Sequence, residues 1–356
     1  MSTPTTDRSA AAGADTLLIA PQWIGDAVMT QPLLAALHAQ GQRLTVGALP
    51  WVAPVYRAMV EVHRVIEFPF AHGRLQLAQR FQLAKSLRGQ FQRAVVCPNS
   101  FKSALIPWLA GTPQRTGYRG EARWGLLNHA LPNPPRDDRG SMVAHYLALA
   151  DAPLPADTAS IRPVLHVRPD VRIAVLGSWG LHANGYYVFA PGAEYGPAKR
   201  WPAQHFAELA ARLDAPVLLL GSPREAALCD EIVRLAQSLR VGSCTSLAGR
   251  SSLDESLALV AGARAVVSND SGLMHVAAAF GTPQVALFGS SNPLHTPPLS
   301  DTARVLWLKD DAAYRPALDC APCYARTCPL GHTRCLNDLS PQRAAEALAS
   351  LLQAVG

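Results

Sequence analysis

Three common fingerprints of nucleotide and metal chemistry are missing from this 356-residue sequence. No G-x-G-x-x-G follows an apolar run, no G-x-x-x-x-G-K-[ST] occurs, and there is no H-E-x-x-H. Classical dinucleotide binding, P-loop hydrolysis and zinc-protease chemistry lose most of their ground. No apolar run reaches the roughly 18 residues of a membrane span; the uncharged stretch after His275 is broken by Gly281, Pro283, Gly289 and Pro293. The opening MSTPTTDRSAAAG has no periodicity and no Lys/Arg region ahead of an apolar block, so no signal peptide is expected. The expectation is a soluble cytoplasmic protein. Charged residues are 16% and hydrophobic ones 49%, an ordinary globular composition, and the length suggests two domains.

Acidic residues are scarce in one region. Between positions 43 and 123 there are three, against twelve Lys and Arg; residues 1–165 hold sixteen basic and ten acidic side chains, whereas residues 166–356 hold sixteen of each. The whole excess of +6 lies in the first half, where a field of one sign favours an anionic partner over a merely solvated Arg-rich surface. A nucleic acid fits poorly, because the basic residues lack interleaved aromatics on strand-like spacing.

What is present is an alternation of short apolar runs with helical patterns. In the first half TLLIA, LTVGALP and RAVVCPN read as strands, with a helix closed by Gly41 after the first. SMVAHYLALA, between Pro-rich stretches, is helix-like. In the second half YYVFAPG, PVLLLGS, SCTSL, ARAVVSN and TPQVALFG read as strands, separated by HFAELAARL, REAALCDEIVRLAQSL, a helix entered at Ser252 with Glu255 three residues on, and GLMHVAAAF. Such alternation predicts an α/β fold with parallel sheets, here two domains facing across a cleft. The last helix, PQRAAEALASLLQAV, could pack on either domain.

Ligands of such sheets bind at strand-end turns, and three turns stand out. SNDSGLMH places Asp270 or Ser271 at a helix N-cap, with Gly281 as C-cap; its N–H groups suit phosphate oxygens, or the residues merely cap the helix. PGAEYGPAKRWP offers two glycines and Lys199 as a point charge for a polyphosphate, or is a plain surface loop. WIGDAV puts Asp26 beside Gly25, where it is by default a helix cap and alternatively a general base.

WIGDAVMTQPLLAAL, VVCPNSFKSALIPWLAGTPQRTGYRGEARWGLLN, FAPGAEYGPAKRWPAQHFAELA, LLLGSPREA and SNDSGLMHVAAAFGTPQVALFGSSNPLHTPPLS, in this order, resemble the ADP-heptose-dependent lipopolysaccharide heptosyltransferases of glycosyltransferase family 9. The resemblance runs from about Thr16 to about Pro341. It implies a GT-B fold: a Rossmann-like domain over 1–165 with the acceptor site and base, a second over 166–340 holding ADP-heptose, and a C-terminal helix over 341–356. It implies inverting transfer of the second L-glycero-D-manno-heptose to heptosyl-Kdo2-lipid A in inner-core assembly, at the inner face of the Gram-negative inner membrane, with no metal and no cofactor. TGYRGEARWGLLN favours this class over the first-heptose enzymes. A nucleotide-sugar epimerase or oxidoreductase is a more distant alternative.

By the same resemblance Asp26 is the general base and Lys199 with the N–H groups of Ser271, Gly272 and Leu273 stabilises the departing diphosphate. Gly25, Glu225, Asp270 and His275 complete the expected donor site, Glu225 for the adenosine ribose and Asp270 for the heptose hydroxyls or the loop. His275 faces either ligand or core. Arg64, Lys102, Arg115, Arg119 and Arg123 are the cations expected near the anionic acceptor, the arginines because their planar fork pairs bidentately with carboxylates and phosphates. One feature stands outside this scheme: Cys320, Cys323, Cys328 and Cys335, with His332, form a compact cluster that suggests a structural metal, unligated thiols or a redox-labile pair.

Overall fold

The computed structural model describes residues 15–71, 74–135, 138, 140–152, 157 and 160–355; the opening leader and the PLP stretch at 153–155 lie outside them. Twelve strands are present among these residues: β1 (Asp15–Ile19), β2 (Arg43–Ala48), β3 (Val62–Glu67), β4 (Arg93–Val96), β5 (Gln114–Tyr118), β6 (His129–Leu131), β7 (Tyr187–Ala190), β8 (Val217–Leu219), β9 (Cys244–Ser246), β10 (Ala265–Asn269), β11 (Gln284–Phe288) and β12 (Ala303–Trp307). They form two six-stranded sheets, ordered β3-β2-β1-β4-β5-β6 and β12-β11-β10-β7-β8-β9, and every pairing is parallel. Shifted by six strands, the second order is the first. Each half is therefore a complete doubly wound unit, with the strand order of the dinucleotide-binding fold although neither carries its glycine fingerprint.

The central strands carry apolar runs because helices cover both faces: Leu17, Leu18, Val266 and Val267 are fully buried. Local signals hold where they were expected. Ser252 Oγ accepts from Glu255 N–H at 3.2 Å while Glu255 Oε2 accepts from Ser252 N–H at 2.8 Å, a reciprocal capping box. Gly281 ends its helix in the left-handed region at φ 67°, where a Cβ is unfavourable. Pro341–Val355 lies on the second domain, its Ala344 and Leu348 buried against Phe206, Leu209 and Val285.

One apolar cluster runs through both domains, from Leu18, Ala27 and Val28 to Val266, Val276 and Ala277. At its centre the helix Ile24–Met29 crosses the helix Gly272–Phe280. The crossing is so close that a Cβ on Gly25 would stand 2.7 Å from His275 Cδ2, and one on Gly272 would stand 2.8 Å from Ile24 Cβ. The connecting segment bonds to both sides, Leu165 N–H to Ala279 O and His166 N–H to Ala58 O. No helix among the described residues is long and apolar enough to cross a membrane.

Candidate active site

In each sheet the strand order reverses between two neighbours, β1 and β4 in the first and β7 and β10 in the second. The chains leaving such a pair diverge to opposite faces and open a crevice at their carboxyl ends. Asp26 follows β1, and Asn99, Ser100 and Lys102 follow β4. Lys199 follows β7, and Asp270 follows β10. Topology alone thus gathers residues far apart in sequence into two crevices, and the glycine crossing turns the crevices towards each other.

The first crevice is a cavity of about 730 Å³, lined by Pro21, Trp23, Asp26, Asn99, Phe101, Lys102 and Tyr146 among others. Asp26 is the third residue of its helix; Trp23 occupies the N-cap and no side chain caps it, so the capping role expected by default is not the one Asp26 plays. Its Oδ1 accepts from Tyr146 Oη at 2.8 Å. Burial raises the Asp26 pKa, and the Asp270 charge adds to the rise, while the Tyr146 hydrogen bond and the Lys199 cation oppose it. A carboxylate shifted upwards, fixed on one oxygen and facing a cavity, is suited to taking a proton. Tyr146 gave no chemical signal in the sequence; SMVAHYLALA reads only as a helix.

At the second crevice Lys199 Nζ forms an ion pair with Asp270 Oδ2 at 2.5 Å, their side chains 18% and 7% exposed. Ser291 Oγ donates to the same oxygen at 2.6 Å. Asn269 fixes the loop from below: its Oδ1 accepts from Trp201 N–H at 3.0 Å and its Nδ2 donates to Pro191 O at 2.7 Å. Neither Asp270 nor Ser271 caps the following helix with its side chain. Ser271 Oγ is buried with no hydrogen-bond partner among the described residues, and the helix's first-turn N–H groups have no intrahelical acceptor. Two of the three Lys199 ammonium donors are not used by Asp270. A cation, an unpaired hydroxyl and the positive end of a helix dipole therefore converge, which suits a bound polyphosphate.

The remaining expected residues divide. Glu225 closes a capping box with Ser222, accepting its N–H at 2.7 Å on Oε2; its other oxygen lies over Gly192, where a Cβ would meet Oε1 at 1.6 Å. His275 is buried in the interdomain seam against Gly25, on the core side of the two possibilities, and burial lowers its pKa to about 4, so the imidazole is neutral near pH 7. Gly25 and Gly272 serve the same crossing.

Of the five acceptor cations only Lys102 lines the cavity. Arg64 stands on the edge strand β3 and donates to Gln90 Oε1 at 3.3 Å. Arg115 is held by Leu126 O and Thr112 O, both at 2.6 Å. Arg123 is 3% exposed and donates to Pro98 O, Asn99 Oδ1 and Tyr118 O. Arg119 is exposed at the end of β5. Arg115 and Arg123 thus brace main-chain carbonyls, and neither lines the cavity. Arg80, which the charge count noted without singling out, does face it.

All seven cysteines are free. Cys320, Cys323, Cys328, Cys335 and His332 line one small apolar cavity beside Ala198 and Ser290, but among the described residues no three potential ligands stand at metal-binding spacing.

Residues 80–333 match the family model described as glycosyltransferase family 9 (heptosyltransferase). Lipopolysaccharide heptosyltransferase 2 of Salmonella typhimurium is 40% identical over 96% of this chain and 99% of its own length. Lipooligosaccharide heptosyltransferase 2 of Haemophilus influenzae is 40% identical over 82% and 88%. The solved structure of the Escherichia coli ADP-heptose lipopolysaccharide heptosyltransferase II superimposes with a TM-score of 0.82 at 37% identity, covering 96% of this chain and 99% of that one. With both doubly wound sheets and the facing crevices in place, the chain belongs to glycosyltransferase family 9, the heptosyltransferases.

Proposed function

We propose that this protein transfers the second heptose of the lipopolysaccharide inner core, from ADP-L-glycero-β-D-manno-heptose to heptosyl-Kdo2-lipid A, with inversion. The observation that carries the reading is the meeting of two unlike sites. Asp26, half-buried in the first domain, is within electrostatic reach of Lys199 and Asp270 in the second. The acceptor hydroxyl attacks the anomeric carbon from the face opposite the diphosphate. A carbon–oxygen bond forms to the acceptor, the bond to phosphate oxygen breaks, its electron pair leaves with ADP, and Asp26 takes the proton. General-base assistance of this kind is worth ~10²–10⁴ in rate.

The departing diphosphate takes its stabilisation from Lys199, Ser271 Oγ and the first-turn N–H groups of Gly272 and Leu273, which need no reorganisation as charge develops. Asp270 positions Lys199 while keeping its second oxygen for the sugar. Glu225 Oε1 stands for the ribose hydroxyls. The acceptor enters from the anionic inner surface of the membrane, the protein docking peripherally, and its carboxylates and phosphates face the cationic lining of the first cavity.

ADP release on mixing the purified protein with ADP-heptose and heptosyl-Kdo2-lipid A, with EDTA present, tests the reading. Release that requires the acceptor and survives chelation supports it. Release equally fast on Kdo2-lipid A without heptose would move the protein to the first-heptose class, and no release with either would remove both.

A further inference from the structure

The acceptor cavity contains a cation that the reaction above leaves without a role. Arg80 lies on the helix Leu77–Leu87, is 5% exposed, and borders the cavity together with Lys102 and Asn99. Its Nε donates to Leu75 O at 2.6 Å and its Nη1 to Lys102 O at 3.1 Å, while the guanidinium lies 4.1 Å over the Phe70 ring. These contacts fix the fork rigidly yet use only two of its five donors. Among the described residues no carboxylate pairs with Arg80. The two acidic residues of the cavity wall are engaged elsewhere, Asp26 by Tyr146 and Glu121 by the Phe101 N–H at 3.1 Å.

The contrast with Arg123 decides the meaning. Both are buried arginines held by carbonyls, and burial lowers the pKa of both. Arg123 commits both terminal nitrogens and does not border the cavity; the Nη2 of Arg80 has no partner among the described residues, and Arg80 borders the cavity that holds Asp26. A desolvated cation without counter-charge is costly to keep, and its natural complement is an anion arriving with a ligand.

We propose that Arg80 is the anion anchor of the acceptor pocket: the free edge of its guanidinium holds a carboxylate or phosphate group of the acceptor and so fixes the approach of the attacking hydroxyl to Asp26. This rests on the acceptor assignment above and extends it to a specificity-determining residue outside the basic positions expected from the sequence.

Binding of deacylated heptosyl-Kdo2-lipid A to the ADP-saturated protein, measured by calorimetry, tests the anchor. Arg80→Gln is expected to weaken acceptor binding ~10–100-fold, the loss of a charge-assisted pair, while ADP affinity is unchanged. Two further acceptors, one dephosphorylated and one with its carboxyls reduced, identify the group: the one for which Arg80→Gln no longer matters lacks the anchor's partner. Arg80→Lys keeps the charge but not the fork; it is expected to bind several-fold more weakly than the wild type and serves if the glutamine protein does not fold. Acceptor affinities within threefold of wild type in a folded variant would overturn the anchor. A wild-type protein that binds ADP but none of the three acceptors would overturn the acceptor assignment itself, and the anchor with it.

Discussion

The two halves of this protein share one strand order and differ in what stands at the point where that order reverses. Between β1 and β4 there is a cavity lined by Asp26, whose pKa burial raises. Between β7 and β10 a lysine, an aspartate and a serine hydroxyl are tied together at a helix start. The first arrangement suits a proton acceptor, and the second sets a cation and its carboxylate partner beside the positive end of a helix. Duplicated topology places chemistry at equivalent positions without dictating its kind. The division of labour proposed above, base on one side of the cleft and leaving-group stabilisation on the other, rests on the side chains and not on the shared topology.

The comparison is broken most severely by Asp26→Asn. The amide keeps the shape and can still meet Tyr146, but cannot take a proton. Turnover is expected to fall by ~10²–10⁴, with the thermal midpoint and ADP affinity unchanged. Steady-state kinetics beside ADP titration separate the two halves; turnover near the wild-type rate would remove Asp26 from the mechanism.

Lys199→Ala strikes the other crevice. It removes the cation and leaves Asp270 with Ser291 alone, so both the resting site and the developing diphosphate charge lose stabilisation. A loss of ~10–100-fold in kcat/KM for ADP-heptose is expected, the scale of one charge-assisted contact, with acceptor affinity unaffected. Unaltered donor kinetics would mean that the helix start needs no lysine.

The placing of Asp26, Lys199 and Asp270 at strand ends was legible in the sequence because each sits in a contiguous strand–turn–helix signal. The parallel sheets and the repeat of the two halves were legible for the same reason. The edge strands β3, partly exposed, and β6, only three residues long, gave little periodicity to read. The cavity's other residues come from elsewhere in the chain: Tyr146 lies 120 residues from its partner, and Arg80 is on an unremarkable helix. Charge counting found the basic region but could not tell a guanidinium that holds up a loop, as in Arg115 and Arg123, from one that faces a ligand. That difference is made by tertiary hydrogen bonds. The sequence left His275 facing either ligand or core, and only the glycine crossing shows it buried against Gly25 in the seam.

The smallest change expected, and the most specific to the first crevice, is that of Tyr146→Phe. The Tyr146 hydroxyl stabilises the charged form of Asp26 against a rise due mainly to burial. The other titratable groups facing the carboxylate stay where they are: Lys199 and Asp270 across the cleft, and Tyr56 and Cys97 beside it, whose pKa values burial and the Asp26 charge push up so that they remain neutral near pH 7. A base works only when ionised, so activity is lost as pH falls through its pKa, and with Asp26 as the base the wild-type acid limb is expected above the ordinary carboxylate value of 3.8. Removing the hydroxyl withdraws a lowering influence, and the limb is expected to move to higher pH. At the plateau the loss should be on the order of tenfold, one hydrogen bond to a charged group. A merely structural tyrosine would lower the rate at every pH alike, and a limb that stays in place would leave Asp26 with burial and the cleft charges as the causes of its shift.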